Sequence, residues 1–207
     1  MNLSVPLKSV TSGLDAGVLT VLARTATPLT GRRVAALSGG SHTGVQPILE
    51  RLTRQGLILA QPAGNSVLYT LNRDHLLAGP LLALTETRTA FLERLRGHVQ
   101  NWRIAPVHAS LFGSLARGDG DENSDIDVLV VRPRPVGTED EAWNSQLAET
   151  EELVYRWTGN ALSWFETTED GLSDAVARLE PVVESWRSDT VHLAGTQLSQ
   201  LLRGPAQ

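Results

Sequence analysis

The sequence reads LFGSLARG over residues 111–118 and NSDIDVLVV over residues 123–131. The apolar runs at residues 107–112 and 126–131 are too short for helices, and their composition is typical of buried strands. Alternate side chains of a strand share one face, so Asp125 and Asp127 are predicted to project the same way while Ile126 points into the core. The segment therefore predicts two strands joined by a glycine-rich acidic loop, with two carboxylates where the second strand begins.

The same segment carries the candidate chemistry of the chain. Two neighbouring carboxylates form a hard oxygen site of the kind that Mg²⁺ (or Mn²⁺) takes together with phosphate oxygens and water. Gly113 permits close approach of the backbone, and Ser114 can begin a helix whose free N–H groups and hydroxyl face a phosphate. Arg117 follows one turn later and can reach the same anion. The alternative interpretation is an acidic turn between two buried strands, without chemistry.

The GSLARG turn at residues 113–118, followed by SDID at residues 124–127, resembles the signature of the nucleotidyltransferase superfamily named for DNA polymerase beta, especially its minimal members. The resemblance implies an α/β (α+β) domain with a small mixed sheet flanked by helices. It also implies that Asp125 and Asp127 hold the divalent metal as catalytic residues and that the Gly-Ser turn contacts phosphates. The implied reaction transfers a nucleoside monophosphate from a nucleoside triphosphate to an acceptor hydroxyl, and a partner protein is one candidate acceptor.

Members of that superfamily usually carry a third carboxylate on a later strand, and this chain departs from the pattern there. The corresponding strand reads ALSWFE over residues 161–166. Ser163 stands in the place of the acid. Glu166, three residues on, is predicted to point to the opposite face as a solvated strand-end residue, unless a bulge turns it inward. The departure affects catalysis more than nucleotide binding, so the alternative function is a non-enzymatic transcription regulator whose degenerate domain binds a nucleotide.

The N-terminal part of the chain has the periodicity of three short helices followed by a hairpin. Thr30 and either Ser41 or Thr43 are candidate caps for the second and third helices. A turn-forming stretch, Pro-Ala-Gly-Asn, separates the two strand-like runs. The predicted helices cover residues 16–24, 31–37 and 43–55, and the predicted strands cover residues 57–61 and 67–71.

Residues 41–57 resemble the winged-helix regulators that are found fused to such nucleotidyltransferase domains, which implies a DNA-binding domain over residues 1–78. In that fold the third helix enters the major groove of duplex DNA, and the hairpin touches the backbone or the minor groove. The candidates for base contact are His42, Thr43 and Gln46, and the candidates for phosphate contact are Arg32, Arg33, Arg51 and Arg54. The alternatives are an ordinary solvated helical face and a winged helix that binds protein.

Residues 79–207 are predicted to hold a connecting helix, at residues 81–102, and the nucleotidyltransferase domain. Winged-helix regulators often dimerise, and the connecting helix is the surface on which we expect a homodimer to form. His108 lies in an apolar strand and is interpreted as a core histidine rather than a metal ligand.

Charge and composition limit the remaining function classes. The net charge is −5, so contact with DNA must be local rather than a property of the whole surface. No apolar run approaches the roughly 20 residues that span a bilayer, and no secretory signal is visible. The absence of cysteine excludes disulfides and thiolate metal sites. We therefore expect a soluble, cytoplasmic protein without a membrane partner.

Overall fold

The computed structural model describes residues 1–11 and 13–203 and has a mixed α/β architecture, which confirms the predicted fold class. A short 3-10 helix covers Pro6–Ser9. The α-helices are α1 (Leu14–Arg24), α2 (Gly31–Ser38), α3 (His42–Arg54), α4 (Ala78–Thr85), α5 (Thr87–Gln100), α6 (Gly113–Arg117), α7 (Glu141–Thr158), α8 (Glu169–Ala177), α9 (Pro181–Ser188) and α10 (Leu198–Leu201). The strands are β1 (Leu29–Thr30), β2 (Ile58–Ala63), β3 (Ser66–Leu71), β4 (His108–Phe112), β5 (Ile126–Val131), β6 (Leu162–Thr167) and β7 (Val191–Gly195).

The chain divides into two compact units. The first comprises Asn2 and Ser4–Arg88, and the second comprises Met1, Leu3 and Thr89–Gln207. Within the described part of both units, no helix combines the length and the apolar character that a membrane crossing requires.

Helices α1 to α4, the 3-10 helix and a small sheet form the first unit, and local capping determines where two of the helices begin. The Thr30 hydroxyl accepts a hydrogen bond from the backbone N–H of Arg33 at the start of α2. The Ser41 hydroxyl does the same for Gly44 at the start of α3, so Ser41 is the cap of that helix. The helices and the hairpin enclose one core, which includes Val18, Leu22, Val34, Val45, Leu49, Ile58 and Tyr69.

The hairpin of this unit places β2 against β3 in an antiparallel register. Ala63 pairs with Ser66, which leaves Gly64 and Asn65 as a two-residue turn. Gly64 has a φ of +58°, as tight hairpin turns require. The two-residue strand β1 pairs with the other edge of β3, so the sheet order is β1-β3-β2. The sequence does not predict β1, because two residues are too few to show a periodicity.

The predicted connecting helix at residues 81–102 is two helices in the structure. α4 ends at Thr85, α5 begins at Thr87, and Glu86 lies between them with φ −92° and ψ 3°. The hydroxyls of Thr85 and Thr87 both donate to the carbonyl oxygen three residues earlier. Side-chain bonds of this kind compete with the helical pattern and favour a break. The prediction of one continuous helix is therefore wrong.

A four-stranded mixed sheet forms the centre of the second unit. Its order is β6-β5-β4-β7, and only the β5–β6 pair is parallel. Alternate residues of β5 belong to two different apolar clusters, which shows that both faces of the sheet are covered. One face packs against Phe91, Leu95 and Val99 of α5 and Trp143, Leu147 and Val154 of α7. The other packs against Leu172 and Ala175 of α8, Val183 and Trp186 of α9, and Leu198 of α10.

His108 of β4 is a core histidine, as the sequence predicts, and is 1 % exposed. Its Nδ1 lies 2.7 Å from the carbonyl oxygen of Thr196, which can only accept, so Nδ1 carries the proton. Its Nε2 lies 2.8 Å from the Ser110 Oγ and accepts from that hydroxyl. Burial lowers the pKa of His108 to about 4, and the nearby His192 adds to the effect, while the bond to Thr196 opposes it.

We expect this histidine to make the fold sensitive to acid. Below pH 6.5 the unfolded chain takes up a proton on His108, whereas the folded chain does so only near pH 4. The free energy of unfolding should therefore fall by up to about 1.4 kcal/mol per pH unit as the pH drops through this window. Urea unfolding at pH 7, 6 and 5 measures the slope. His108→Gln should flatten it, whereas His75→Gln should not; equal slopes in all three proteins would contradict the assignment.

Candidate active site

Asp127 lies near the start of β5, between two partner strands. It pairs with Phe112 of β4 on one side and with Ser163 of β6 on the other. Its side chain is half-buried, whereas Asp125, directly before the strand, is exposed. Ile126 between them is buried in the sheet core. Ile126 therefore lies in the core, as predicted, between two acids that are not buried.

Asp127 responds to its burial and to the charges around it. Burial raises the pKa of Asp127, and the negative charge of Asp125 raises it further, while the positive charge of Arg117 lowers it. A positive charge placed against this pair would relieve the repulsion between the two acids. The described residues contain no group of three or more His, Asp or Glu side chains arranged to hold a metal. Two carboxylate donors nevertheless fit Mg²⁺, which usually takes one or two carboxylates together with phosphate oxygens and water.

Gly113 lies directly over the carboxylate of Asp127. A Cβ atom at this position would stand 2.6 Å from the Asp127 Oδ2, closer than real contacts allow. The residue also has a φ of +74°, in the region that favours glycine. The sequence predicts close backbone approach at Gly113, and the structure shows that the group approached is the carboxylate itself.

The loop that joins the two halves of the motif is held by its own hydrogen bonds. The carbonyl oxygen of Ser114 accepts from the backbone N–H groups of Gly118, Asp119 and Gly120 at 2.9, 3.0 and 3.2 Å. Further along, the Asp121 carboxylate accepts from the Asn123 N–H at 2.9 Å. This bond, with a further one from the Ser124 hydroxyl, lowers the pKa of Asp121. The backbone next to the Ser114 hydroxyl is therefore fixed by local bonds.

Arg117 brings the positive charge of the site. Its Nε lies 3.1 Å from the Asp119 Oδ2, and its Nη1 lies 3.7 Å from the Asp189 Oδ2. The hydrogen bond that Arg117 donates to the Asp119 carboxylate is the main reason that the pKa of Arg117 is raised. Asp189 follows α9 and stands far from the motif in the chain. No signal in the sequence connects Asp189 with Arg117, so the sequence did not predict this ion pair.

An aromatic cluster packs beside Asp127, on the same face of the sheet. Trp186 of α9 makes edge-to-face contacts with Phe112, the strand partner of Asp127, and with Phe165 of β6. The ring centroids are 6.4 and 4.9 Å apart. Trp186 is buried. These rings anchor α9, and hence Asp189, beside the motif.

Ser163 and Glu166 lie on opposite faces of β6, as the sequence predicts. Ser163 stands in register with Asp127 on the parallel neighbour strand. The Glu166 carboxylate instead pairs with Arg132 at 2.9 Å and accepts a hydrogen bond from the indole N–H of Trp143 at 2.9 Å. Glu166 is thus held on the far side of the sheet from Asp127. Glu166 is exposed near the end of β6, as predicted, and it also has two partners that the sequence did not reveal.

The candidate DNA contacts of the first unit do not all lie together. Arg32, His42 and Gln46 line one groove of about 610 Å³ between α2, α3 and the hairpin, whereas Thr43 is exposed at the start of α3 outside this lining. Arg33 and Arg54 are exposed and likewise stand outside the groove lining. Arg51 has an intramolecular partner, because its guanidinium bonds to the carboxylate of Asp15 in α1. Its expected role as a phosphate contact therefore competes with an ion pair that the sequence did not reveal.

Comparison with known proteins agrees with the motif. Residues 92–159 match the family model described as nucleotidyltransferase domain, and this range includes the Gly-Ser turn and both aspartates. No curated protein matches the chain significantly. Among solved structures, human N-acetylserotonin methyltransferase in complex with SAM shows 19% identity and a TM-score of 0.29. That match covers 48% of this chain but only 32% of the methyltransferase, and a likeness this low carries no conclusion about function. The family match supports a nucleotidyl-transfer function for the segment that holds Asp125 and Asp127.

Proposed function

We propose that the protein is a metal-dependent nucleotidyltransferase joined to a winged-helix DNA-binding module. In the reaction an acceptor hydroxyl oxygen attacks the α-phosphorus of a nucleoside triphosphate and gives up its proton to water. The bond between the α-phosphorus and the oxygen that bridges to the β-phosphorus breaks, and that oxygen leaves as part of pyrophosphate. The observation that carries the proposal is the half-buried Asp127, which faces the charge of Asp125 under the Gly113 backbone within the matched segment. DNA binding is assigned to residues 1–78 and nucleotidyl transfer to residues 79–207.

The residues of the motif would have separate roles in such a site. Asp125 and Asp127 would hold Mg²⁺ or Mn²⁺, and the metal, when bound, supplies positive charge that stabilises the transferring phosphoryl group. Gly113 lets the Asp127 carboxylate lie against the backbone of the turn, and the Ser114 hydroxyl would donate to phosphate oxygens. The Arg117 guanidinium would bind the same phosphates, and its ion pairs with Asp119 and Asp189 would then break.

Incubation with each nucleoside triphosphate labelled at the α-phosphate tests the enzyme directly. Mg²⁺, duplex DNA and a protein extract are supplied, the last two as sources of acceptors. We expect release of pyrophosphate and a labelled product with at least one nucleotide. Asp127→Asn is the matched background, because it removes one carboxylate at nearly constant volume. Pyrophosphate release that is no faster in the unaltered protein than in this variant would exclude transfer under these conditions.

A second candidate function is a transcription regulator that senses a nucleotide without turning it over. The pairing of Asp127 with Ser163, where a third acid is expected, favours this candidate. In that case the nucleotide would change the affinity of the protein for DNA while no pyrophosphate is formed.

The order of elements in the first unit supports the DNA-binding part of the proposal. Helix α1, strand β1, helices α2 and α3 and the hairpin β2–β3 follow one another in the order that a winged helix requires, with the sheet order β1-β3-β2. The groove between α3 and the hairpin contains Arg32 and His42 and no acidic residue among its lining residues. These features favour an anionic ligand such as duplex DNA over an uncharged partner.

A fragment of the protein's own promoter region should be retained in a gel shift, with an affinity that falls as salt rises. Arg32→Ala and Arg54→Ala should each weaken binding and reduce the slope of log affinity against log salt by about 1. Arg73→Ala, which removes an exposed arginine outside the candidate set, should leave the slope unchanged. If neither promoter nor random duplex is retained at low salt, the module is better interpreted as a protein-binding winged helix.

A further inference from the structure

Gln46 of α3 lies in the groove between α2, α3 and the hairpin, and its side-chain amide is held in one orientation. The amide nitrogen Nε2 donates to the Glu50 Oε1 at 3.1 Å and to the Tyr69 hydroxyl at 3.5 Å. Glu50 lies one helical turn further along α3, and Tyr69 is a buried residue of β3. Both amide hydrogens are therefore directed at partners within the protein.

The carbonyl oxygen of Gln46 remains available. This oxygen, Oε1, lies near Gly31: a Cβ atom added to Gly31 would stand 3.4 Å from it. Among the residues that the structure describes, no donor forms a hydrogen bond with this oxygen. Towards the groove, Gln46 is thus an acceptor of hydrogen bonds and not a donor.

This orientation determines which base edges Gln46 can contact. In the major groove the exocyclic amino groups of adenine and cytosine are donors, whereas the exposed polar atoms of guanine and thymine are acceptors. A glutamine that contacts adenine in the usual bidentate manner must also donate to N7. The hydrogens of Gln46 that would do so are already bonded to Glu50 and Tyr69.

We propose that Gln46 selects duplex DNA sites by accepting a hydrogen bond from a base amino group, so that adenine or cytosine is preferred on one strand at one position. Glu50 and Tyr69 are the residues that impose this selection, because they fix the amide. The proposal rests on the DNA-binding function of the first unit and adds to it the chemical class of base that is recognised.

Selection from a randomised duplex library tests the proposal with the full-length protein. The unaltered protein should enrich sites with one position restricted to adenine or cytosine, and Gln46→Ala should lose the restriction at that position alone. Glu50→Ala frees one amide hydrogen, so it should narrow the restriction to adenine. Gln55→Ala, at the exposed end of α3, is the matched control and should change no position.

Base analogues test the same contact with the protein unchanged. In a selected site with adenine at this position, purine without the 6-amino group should weaken binding about 5-fold, the effect of one hydrogen bond. Substitution by 7-deazaadenine, which lacks N7, should leave the affinity unchanged. Equal losses of affinity with both analogues would overturn the proposal. Enrichment of guanine or thymine at the position that Gln46→Ala affects would overturn it as well. If no duplex is enriched by any of the proteins, the DNA-binding function itself fails and this inference fails with it.

Discussion

Replacing both Asp125 and Asp127 with asparagine should abolish the strengthening of nucleoside triphosphate binding by Mg²⁺. Asp127 is half-buried next to the charge of Asp125, so the two carboxylates repel triphosphate unless a cation lies between them. Loss of groups that merely support a metal ligand typically costs 10- to 100-fold in metal affinity. We expect the double variant to lose at least about 100-fold of the Mg²⁺-dependent gain in nucleotide affinity.

The same reasoning predicts the opposite effect without metal. In the presence of a chelator, the double variant should bind nucleoside triphosphate more tightly than the unaltered protein, because two negative charges are gone. Calorimetry with and without Mg²⁺ measures both effects. Glu149→Gln with Glu152→Gln removes the same total charge from exposed positions of α7 and is the matched control. Equal Mg²⁺ enhancement in the double aspartate variant and the unaltered protein would contradict the assignment of the site.

The parts of the site that depend on local sequence could be predicted. The period of two along a strand predicted that Ile126 lies in the core between two acids that are not buried. The same period put Ser163 and Glu166 on opposite faces of β6. Each of these predictions needed only the type of element and the position of a residue within it.

The parts that depend on contacts distant in the chain could not be predicted. The pairing of Arg117 with Asp189 and that of Arg51 with Asp15 join residues from different helices or their ends. Which arginine meets which acid is determined by how helices pack, and side-chain periodicity contains no such information. The break at Glu86 was missed for a related reason, because apolar residues continue at helical spacing through α4 and α5.

Restoring a carboxylate on β6 should separate the enzyme from the sensor. Ser163 stands in register with Asp127 on a parallel neighbour strand, so an aspartate there would direct its carboxylate to the same face of the sheet. The added acid supplies either a further metal ligand or a general base, and groups of the latter kind typically contribute about 100-fold or more to a rate. We expect Ser163→Asp to raise the rate of pyrophosphate release about 100-fold over slow transfer by the unaltered protein.

Two control variants make the result of Ser163→Asp interpretable. Ser163→Asn matches the new side chain in size but carries no charge, so it should not raise the rate. Glu166→Gln weakens the ion pair with Arg132 and should lower the free energy of unfolding while transfer continues. If the unaltered protein transfers rapidly and Glu166→Gln abolishes this, Glu166 is the third acid and β6 must rearrange during the reaction. If neither the unaltered protein nor Ser163→Asp shows transfer while nucleotide still changes DNA affinity, the domain is a sensor, because a complete set of carboxylates would then be insufficient for chemistry on this scaffold.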